Sequence, residues 1–321
     1  MSFATCPEAC GRGRMILGVD DDSCPFIIYR TMNLPFTLLF LGILLLVSGP
    51  LCAGEREPRV IRDVEYARQS GASLALDLYL PSQGQTGPLI LWIHGGAWRA
   101  GSKNEMPLGD LVVAGFPVAS VDYRLSTVER FPAQVHDLKA AIRFLRARAN
   151  LLDIKADKVI VAGASAGGHL AALVGVTNDH RELEGEVGGE RDQSSSVQGI
   201  ISFFGGANLT TILAQSTPHG LNVRVPALEL LLGAQPEAKP ELARLASPDF
   251  HVDKNDPPLL LIHGDQDPQM PVNQALELQG AYEGAGCKVR LEIIHGAGHG
   301  GKVFYDAKRI ALVKQFLSDN F

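Results

Sequence analysis

The sequence is poor in the features that would mark several common classes of protein. Only five of its 321 residues are cysteines, and four of them (Cys6, Cys10, Cys24, Cys52) fall in the first 52 positions. Cys287 alone remains in the rest of the chain, which excludes a disulfide framework and any Cys-based metal spacing there. Cationic excess is absent. The formal charge is −6, which gives no electrostatic reason for nucleic acid or an anionic membrane as partner. There is no internal repeat and no low-complexity tract. Aromatic residues make up only 7%.

Long apolar runs are equally scarce, with one exception. "LPFTLLFLGILLLVSGPL", Leu34 to Leu51, is followed by the small residues Cys52, Ala53 and Gly54. Its densest part, Leu38 to Val47, has the length of a signal-peptide core and is short for a membrane span. We therefore read residues 1–53 as an extension plus signal peptide (about 32–53), with Met32 as the expected start and export to a periplasm or the outside as the consequence. An N-terminal membrane anchor is the alternative. Residues 54–321 form one domain on this reading; the chain's 321 residues at 46% hydrophobic suit one large globular domain or two small ones.

Beyond the signal, strand-like and helix-like runs alternate. "VIRDVEYA" and "LALDLYL" have a period of two and predict a hairpin. "PLILWIH", "FPVASVDY", "KVIVAG", "VQGIISFFG", "PPLLLIHG" and "KVRLEIIHG" are short, nearly continuous apolar runs of the kind buried on both faces of a sheet. Helices are predicted over 106–114, 132–149, 166–176, 225–232, 272–283 and 303–318. The second carries Val135, Leu138, Ile142 and Leu145 on one face. The alternation implies an α/β fold with a mostly parallel sheet between helices. Two stretches break the pattern, 176–196 and 205–226. Both are predicted as long loops at the carboxyl ends of strands, where such sheets bind ligands.

"GASAG", Gly163 to Gly167, matches G-x-S-x-G with a strand before it and a helix after it. A sharp strand-to-helix turn would expose the Ser165 hydroxyl, and the helix start would favour a neighbouring anion. The competing reading of the same residues is a helix cap. A serine needs a base, and the base needs an acid to orient it. Among nine histidines, His299 in "HGAGHGG" sits in a small-residue loop after the last strand, and His295 is its rival. "HGDQDPQMP" offers Asp267, with Asp265 as the second choice. "HGGAW" after "PLILWI" supplies the Gly95 and Gly96 backbone for an oxyanion, with the Ala166 N–H as the other donor. Trp98 and Tyr123 are expected at the pocket. The acids of residues 181–192 offer a calcium-type oxygen set, but a solvated loop is the expected reading. No cofactor and no metal is expected.

Taken together, "HGGAW", "VDYRLSTVERFPAQVHDLKAAIRFLR", "GASAGGHLAAL", "HGDQDPQMP" and "GAGHG" resemble, in order, the α/β-hydrolase superfamily and its esterases related to hormone-sensitive lipase. More narrowly, "SAGGHLA" and the "ELEGEVGGERDQSS" segment resemble the secreted bacterial feruloyl-esterase-like, or BD-FAE, hydrolases. The resemblance covers about residues 60–321. It implies an α/β-hydrolase fold with a small loop-rich cap. It also implies Ser165 as nucleophile, Asp267 as acid, His299 as base, and Gly95, Gly96 and Ala166 around the oxyanion. A secreted serine carboxylesterase is the expected function, acting on small or polysaccharide-linked esters such as acetyl or feruloyl sugars. An arylformamidase-like amidohydrolase, a prolyl-oligopeptidase-type peptidase and a catalytically inactive binding protein are the alternatives. Two departures stand out. Ala97 replaces the third Gly of the fuller oxyanion loop, which a negative φ would accommodate, and Asn208 replaces an expected carboxylate.

Overall fold

The computed structural model describes residues 58–69 and 71–321. The segment read as a signal peptide lies outside the described residues.

Eight strands form one sheet in the order β1-β2-β4-β3-β5-β6-β7-β8. They are β1 (Arg59–Gln69), β2 (Ala72–Leu80), β3 (Leu89–Ile93), β4 (Val118–Val121), β5 (Val159–Ala164), β6 (Gly199–Phe203), β7 (Leu259–Gly264) and β8 (Val289–Ile294). The two period-two runs pair as the expected antiparallel hairpin, and β2 joins β4 antiparallel. From β4 to β8 every neighbouring pair is parallel.

Each central strand feeds two cores. Along β3, Leu89, Leu91 and Ile93 enter one apolar cluster, while Ile90 and Trp92 enter the other. Helices Ala133–Ala147, Ala166–Val176, Pro218–Leu232 and Asn273–Ala285 contribute to the first cluster, and Ala307–Asn320 to the second. This is why the central runs read as continuously apolar: neither side of the strand meets water.

The segment 205–226 departs from its expectation. Its second half is helical, because Pro218 occupies the first helical position and the Thr217 hydroxyl accepts the Gly220 N–H at 3.0 Å, a proper N-cap. The helix runs on through Pro226 to Leu232. The acidic loop is not simply solvated either. Glu184 pairs with Lys139 and Arg143 and accepts the Ser195 hydroxyl at 2.6 Å, and Glu190 pairs with Arg148 at 2.7 Å. These contacts tie the loop to the helix Ala133–Ala147 and to Arg148 at its end.

Candidate functional site

Ser165 stands between β5 and the helix Ala166–Val176, with φ 55° and ψ −116°. A non-glycine residue at such a φ is strained and needs support from its surroundings. Its N–H donates to the Phe203 carbonyl at 2.9 Å, and its own carbonyl accepts the His169 N–H at 2.9 Å. The flanking glycines are required by contact. A Cβ on Gly163 would lie 2.3 Å from the Gly167 oxygen, and one on Gly167 would lie 2.1 Å from the Ile93 oxygen. Strand, elbow and helix are thus packed too tightly for any other residue.

The loops after β7 and β8 bring two more side chains to the hydroxyl. His299 Nε2 lies 2.9 Å from Ser165 Oγ, and His299 Nδ1 lies 2.6 Å from Asp267 Oδ2. A carboxylate can only accept, so Nδ1 carries the proton and Nε2 is left to accept from the hydroxyl. Asp267 is held from its other oxygen, where Oδ1 accepts the N–H groups of Gln269 and Met270, each at 2.8 Å. Burial works to raise the Asp267 carboxyl. The imidazoles of His263 and His299 and the Met270 N–H outweigh it and hold the carboxyl well below the usual range. His263, at the end of β7, donates from Nε2 to the Met270 carbonyl at 2.9 Å and fixes the same turn. The runner-up residues pair with each other instead. Asp265 holds His295 at 2.8 Å, and that imidazole is 87% exposed.

Gly95 and Gly96 line the cavity beside Ser165, and Gly95 runs so close that a Cβ would lie 3.0 Å from the Ala164 oxygen. Ala166 opens the following helix and is fully buried. As the first residue of its helix, Ala166 has an N–H without an intrahelical acceptor, available as a donor. Ala97 has φ 52°, not the negative value expected for an alanine there. The loop turns back on itself, with the Arg99 and Ala100 N–H groups both donating to the Gly96 oxygen around Ala97 and Trp98, both at positive φ.

Two expectations fail. Trp98 and Tyr123 do not line the cavity; they are 0% and 4% exposed and lie beneath the loop. Tyr123 stacks on His94, with ring centroids 4.4 Å apart, and donates to the His94 carbonyl at 3.2 Å. Trp98 Nε1 donates to His169 Nδ1 at 3.1 Å, and His169 Nε2 reaches the Ala246 carbonyl at 2.7 Å. Burial lowers the His169 pKa to about 4, so this imidazole stays neutral and can accept from Trp98. Both aromatics support the loop 95–99 from beneath rather than line the cavity. Asn208 serves structure as well. Its amide donates to Asp249 at 2.7 Å, and its oxygen accepts the Thr210 N–H.

The cavity itself measures about 770 Å³, within the usual range for a ligand site. Its walls include residues that sequence reasoning missed: Phe204, Arg99, Met106, Tyr305, Gln269 and Arg224. Phe204 follows β6 and meets the His299 ring edge-on at 4.9 Å. Its place at a strand's carboxyl end was the one available signal.

Comparison with known proteins agrees with this architecture. The BD-FAE family model matches residues 76–282. The chain is 30% identical over 260 residues to esterase LipC of Mycobacterium tuberculosis, covering 79% of this chain and 63% of that protein. It is 29% identical over 267 residues to the ethyl acetate hydrolase of Pseudomonas putida, covering 78% of this chain and 79% of that one. Among solved structures, a truncated form of a carbohydrate esterase from gut microbiota superposes with a TM-score of 0.73 at 31% identity, over 84% of this chain and 98% of that chain. The chain thus spans less than two thirds of the mycobacterial relative's length. The fold is that of an α/β-hydrolase.

Proposed function

Because this chain belongs to the BD-FAE family, we propose that it is a serine carboxylesterase in which Ser165, His299 and Asp267 carry out acyl transfer. The observation that carries the reading is the continuous hydrogen-bonded line from Asp267 Oδ2 through the His299 imidazole to Ser165 Oγ, at 2.6 and 2.9 Å. It ends at a strained elbow that opens into the cavity.

The chemistry follows from that line. Ser165 Oγ attacks the ester carbonyl as its proton passes to His299 Nε2. The carbonyl oxygen becomes an oxyanion beside the N–H groups of Gly95, Gly96 and Ala166, which need not reorganise to receive it. Asp267 stabilises the imidazolium and keeps the ring in its tautomer. His299 then protonates the departing alcohol oxygen, leaving an acyl-Ser165 ester. Water attacks this ester with His299 again as base, so that acid, alcohol and free enzyme are restored.

We read the substrates as esters of carbohydrate, acetyl or feruloyl, outside the cytoplasm. The likeness to a carbohydrate esterase supports the first part and the apolar stretch Leu34–Leu51 the second. The experiment is a rate screen of the full chain on p-nitrophenyl acetate, then on acetylated and feruloylated sugars. Turnover of the first that Ser165→Ala abolishes supports the esterase. No turnover of any ester contradicts it.

A further inference from the structure

Two arginines share the cavity with Ser165, and neither is neutralised there. Arg224 lines the cavity while only 1% exposed. Its Nε donates to the Gln269 carbonyl at 3.2 Å, and its guanidinium lies 5.8 Å from the Trp98 ring centroid. Its Nη1 is buried with no hydrogen-bond partner among the described residues. Arg99, half-buried on the loop after Gly96, lines the same cavity. No carboxylate among the described residues lies within 4.0 Å of either guanidinium.

The nearby acids do not supply the missing charge. Glu105 lines the cavity and pairs with neither arginine. Asp267 is closed off behind His299, its oxygens already taken by His299, Gln269 and Met270. Burial lowers the Arg224 pKa to about 10; the charge of Asp267 opposes this, and the like charge of Arg99 adds to it. At neutral pH the group is therefore still a cation. A buried cation without a partner is costly, and a charge-assisted hydrogen bond to a carboxylate offsets that cost; with Nε spent on Gln269 and Nη1 enclosed, Arg224 offers Nη2, beside the Arg99 guanidinium. An acetyl or feruloyl group, being neutral, leaves that charge unanswered.

The geometry points to a carboxylate-binding subsite formed by Arg224 and Arg99 beside Ser165, so that the esters this site takes carry a free carboxylate. This rests on the esterase reading and narrows its substrate class. The carboxylate can belong to the acyl side, as in a dicarboxylic half-ester, or to the alcohol side, as in an acylated uronic acid. The two sources put the same chemistry against the arginines and are separated by experiment.

The test uses the full chain and two matched pairs of esters. The acyl pair is 4-nitrophenyl hemisuccinate against the uncharged isostere 4-nitrophenyl 4-methylpentanoate. The alcohol pair is an acetylated methyl glucuronoside against the acetylated methyl glucoside. The charged member of one pair should be preferred by roughly tenfold or more in kcat/KM, the size of effect hydrogen bonds to a charged partner produce. The pair that shows the preference identifies the source. Arg99→Gln and Arg224→Gln should each bring that ratio toward one, chiefly through KM. Because Arg224 is buried and its variant can misfold, a second readout uses Arg99→Gln alone. Succinate or glucuronate should raise the Tm of the wild type more than that of Arg99→Gln. Equal kcat/KM within both pairs, with the neutral esters turned over, overturns the subsite and leaves the esterase reading standing. Failure to hydrolyse any ester overturns the esterase reading, and the Tm shifts then decide the subsite alone: no difference between wild type and Arg99→Gln overturns it.

Discussion

The Asp265 carboxylate holds His295 Nδ1 at 2.8 Å on the outside of the molecule, only two residues from the buried Asp267. Two Asp–His pairs therefore bridge the same two loops, and they differ in what lies beyond the imidazole. His299 continues to Ser165, whereas His295 meets solvent. Asp265→Asn should alter kcat less than twofold, since an exposed pair contributes little. Asp267→Asn should lower kcat by up to about four orders of magnitude, because an amide in place of the carboxylate favours the wrong tautomer. Steady-state rates on p-nitrophenyl acetate check both, and the reverse ranking contradicts the assignment. The depressed Asp267 pKa adds a constraint: its carboxylate remains ionised below the ordinary Asp value of about 3.9. Its contribution to stability is present above that value and is lost only as the pH falls through the lower, folded-state pKa.

Trp98 shows how the loop beside Ser165 is held from below. Its indole N–H is buried against His169, and its ring lies under Arg224. Trp98→Phe keeps most of the packing and removes the donor, leaving the His169 Nδ1 acceptor unsatisfied. A loss of about 1–3 kcal/mol is expected in denaturant unfolding. Trp98→Ala should cost more, about 3–5 kcal/mol, by opening a cavity as well.

Asp249 gives the protein a stability gradient near neutral pH. Burial, with the charge of Glu277 second, raises its pKa to about 7, while Asn208 donates to one of its oxygens. A carboxyl with a raised folded-state pKa contributes stability that is full below the unfolded value of about 3.9 and is lost as the pH rises through 7. The Tm should therefore fall between pH 5 and 8. Asp249→Asn removes the charge and keeps an acceptor for Asn208, so it should flatten that fall and stabilise by about 1–2 kcal/mol at pH 8. A Tm profile unchanged by the substitution counts against this account.

How much of this was legible in the sequence depended on whether a feature was local. The elbow was legible because its requirement is local: Gly163 and Gly167 flank Ser165 within one turn, and the strand before them is apolar on both faces. The chain positions of Ser165, Asp267 and His299 were legible because each lies in the short stretch that follows a readable strand, β5, β7 and β8. The cavity wall was not. Arg224 lies in a stretch with weak periodicity, and it meets the site only because Thr217 caps a helix that docks on the Asp267 turn, its hydroxyl donating to the Pro268 carbonyl at 2.6 Å. Trp98 was misplaced because Ala97 and Trp98 both adopt positive φ, which turns the indole into the core; residue type alone carries no sign of this.

The central claim is that Ser165 is the nucleophile, and the most direct test is where a fluorophosphonate attaches. Peptide mapping of the labelled full chain by mass spectrometry should find one adduct, on Ser165, formed in step with loss of p-nitrophenyl acetate hydrolysis. Labelling should fall to background in Ser165→Ala and slow greatly in His299→Ala. An adduct on another residue, or full labelling and full activity in Ser165→Ala, contradicts the account.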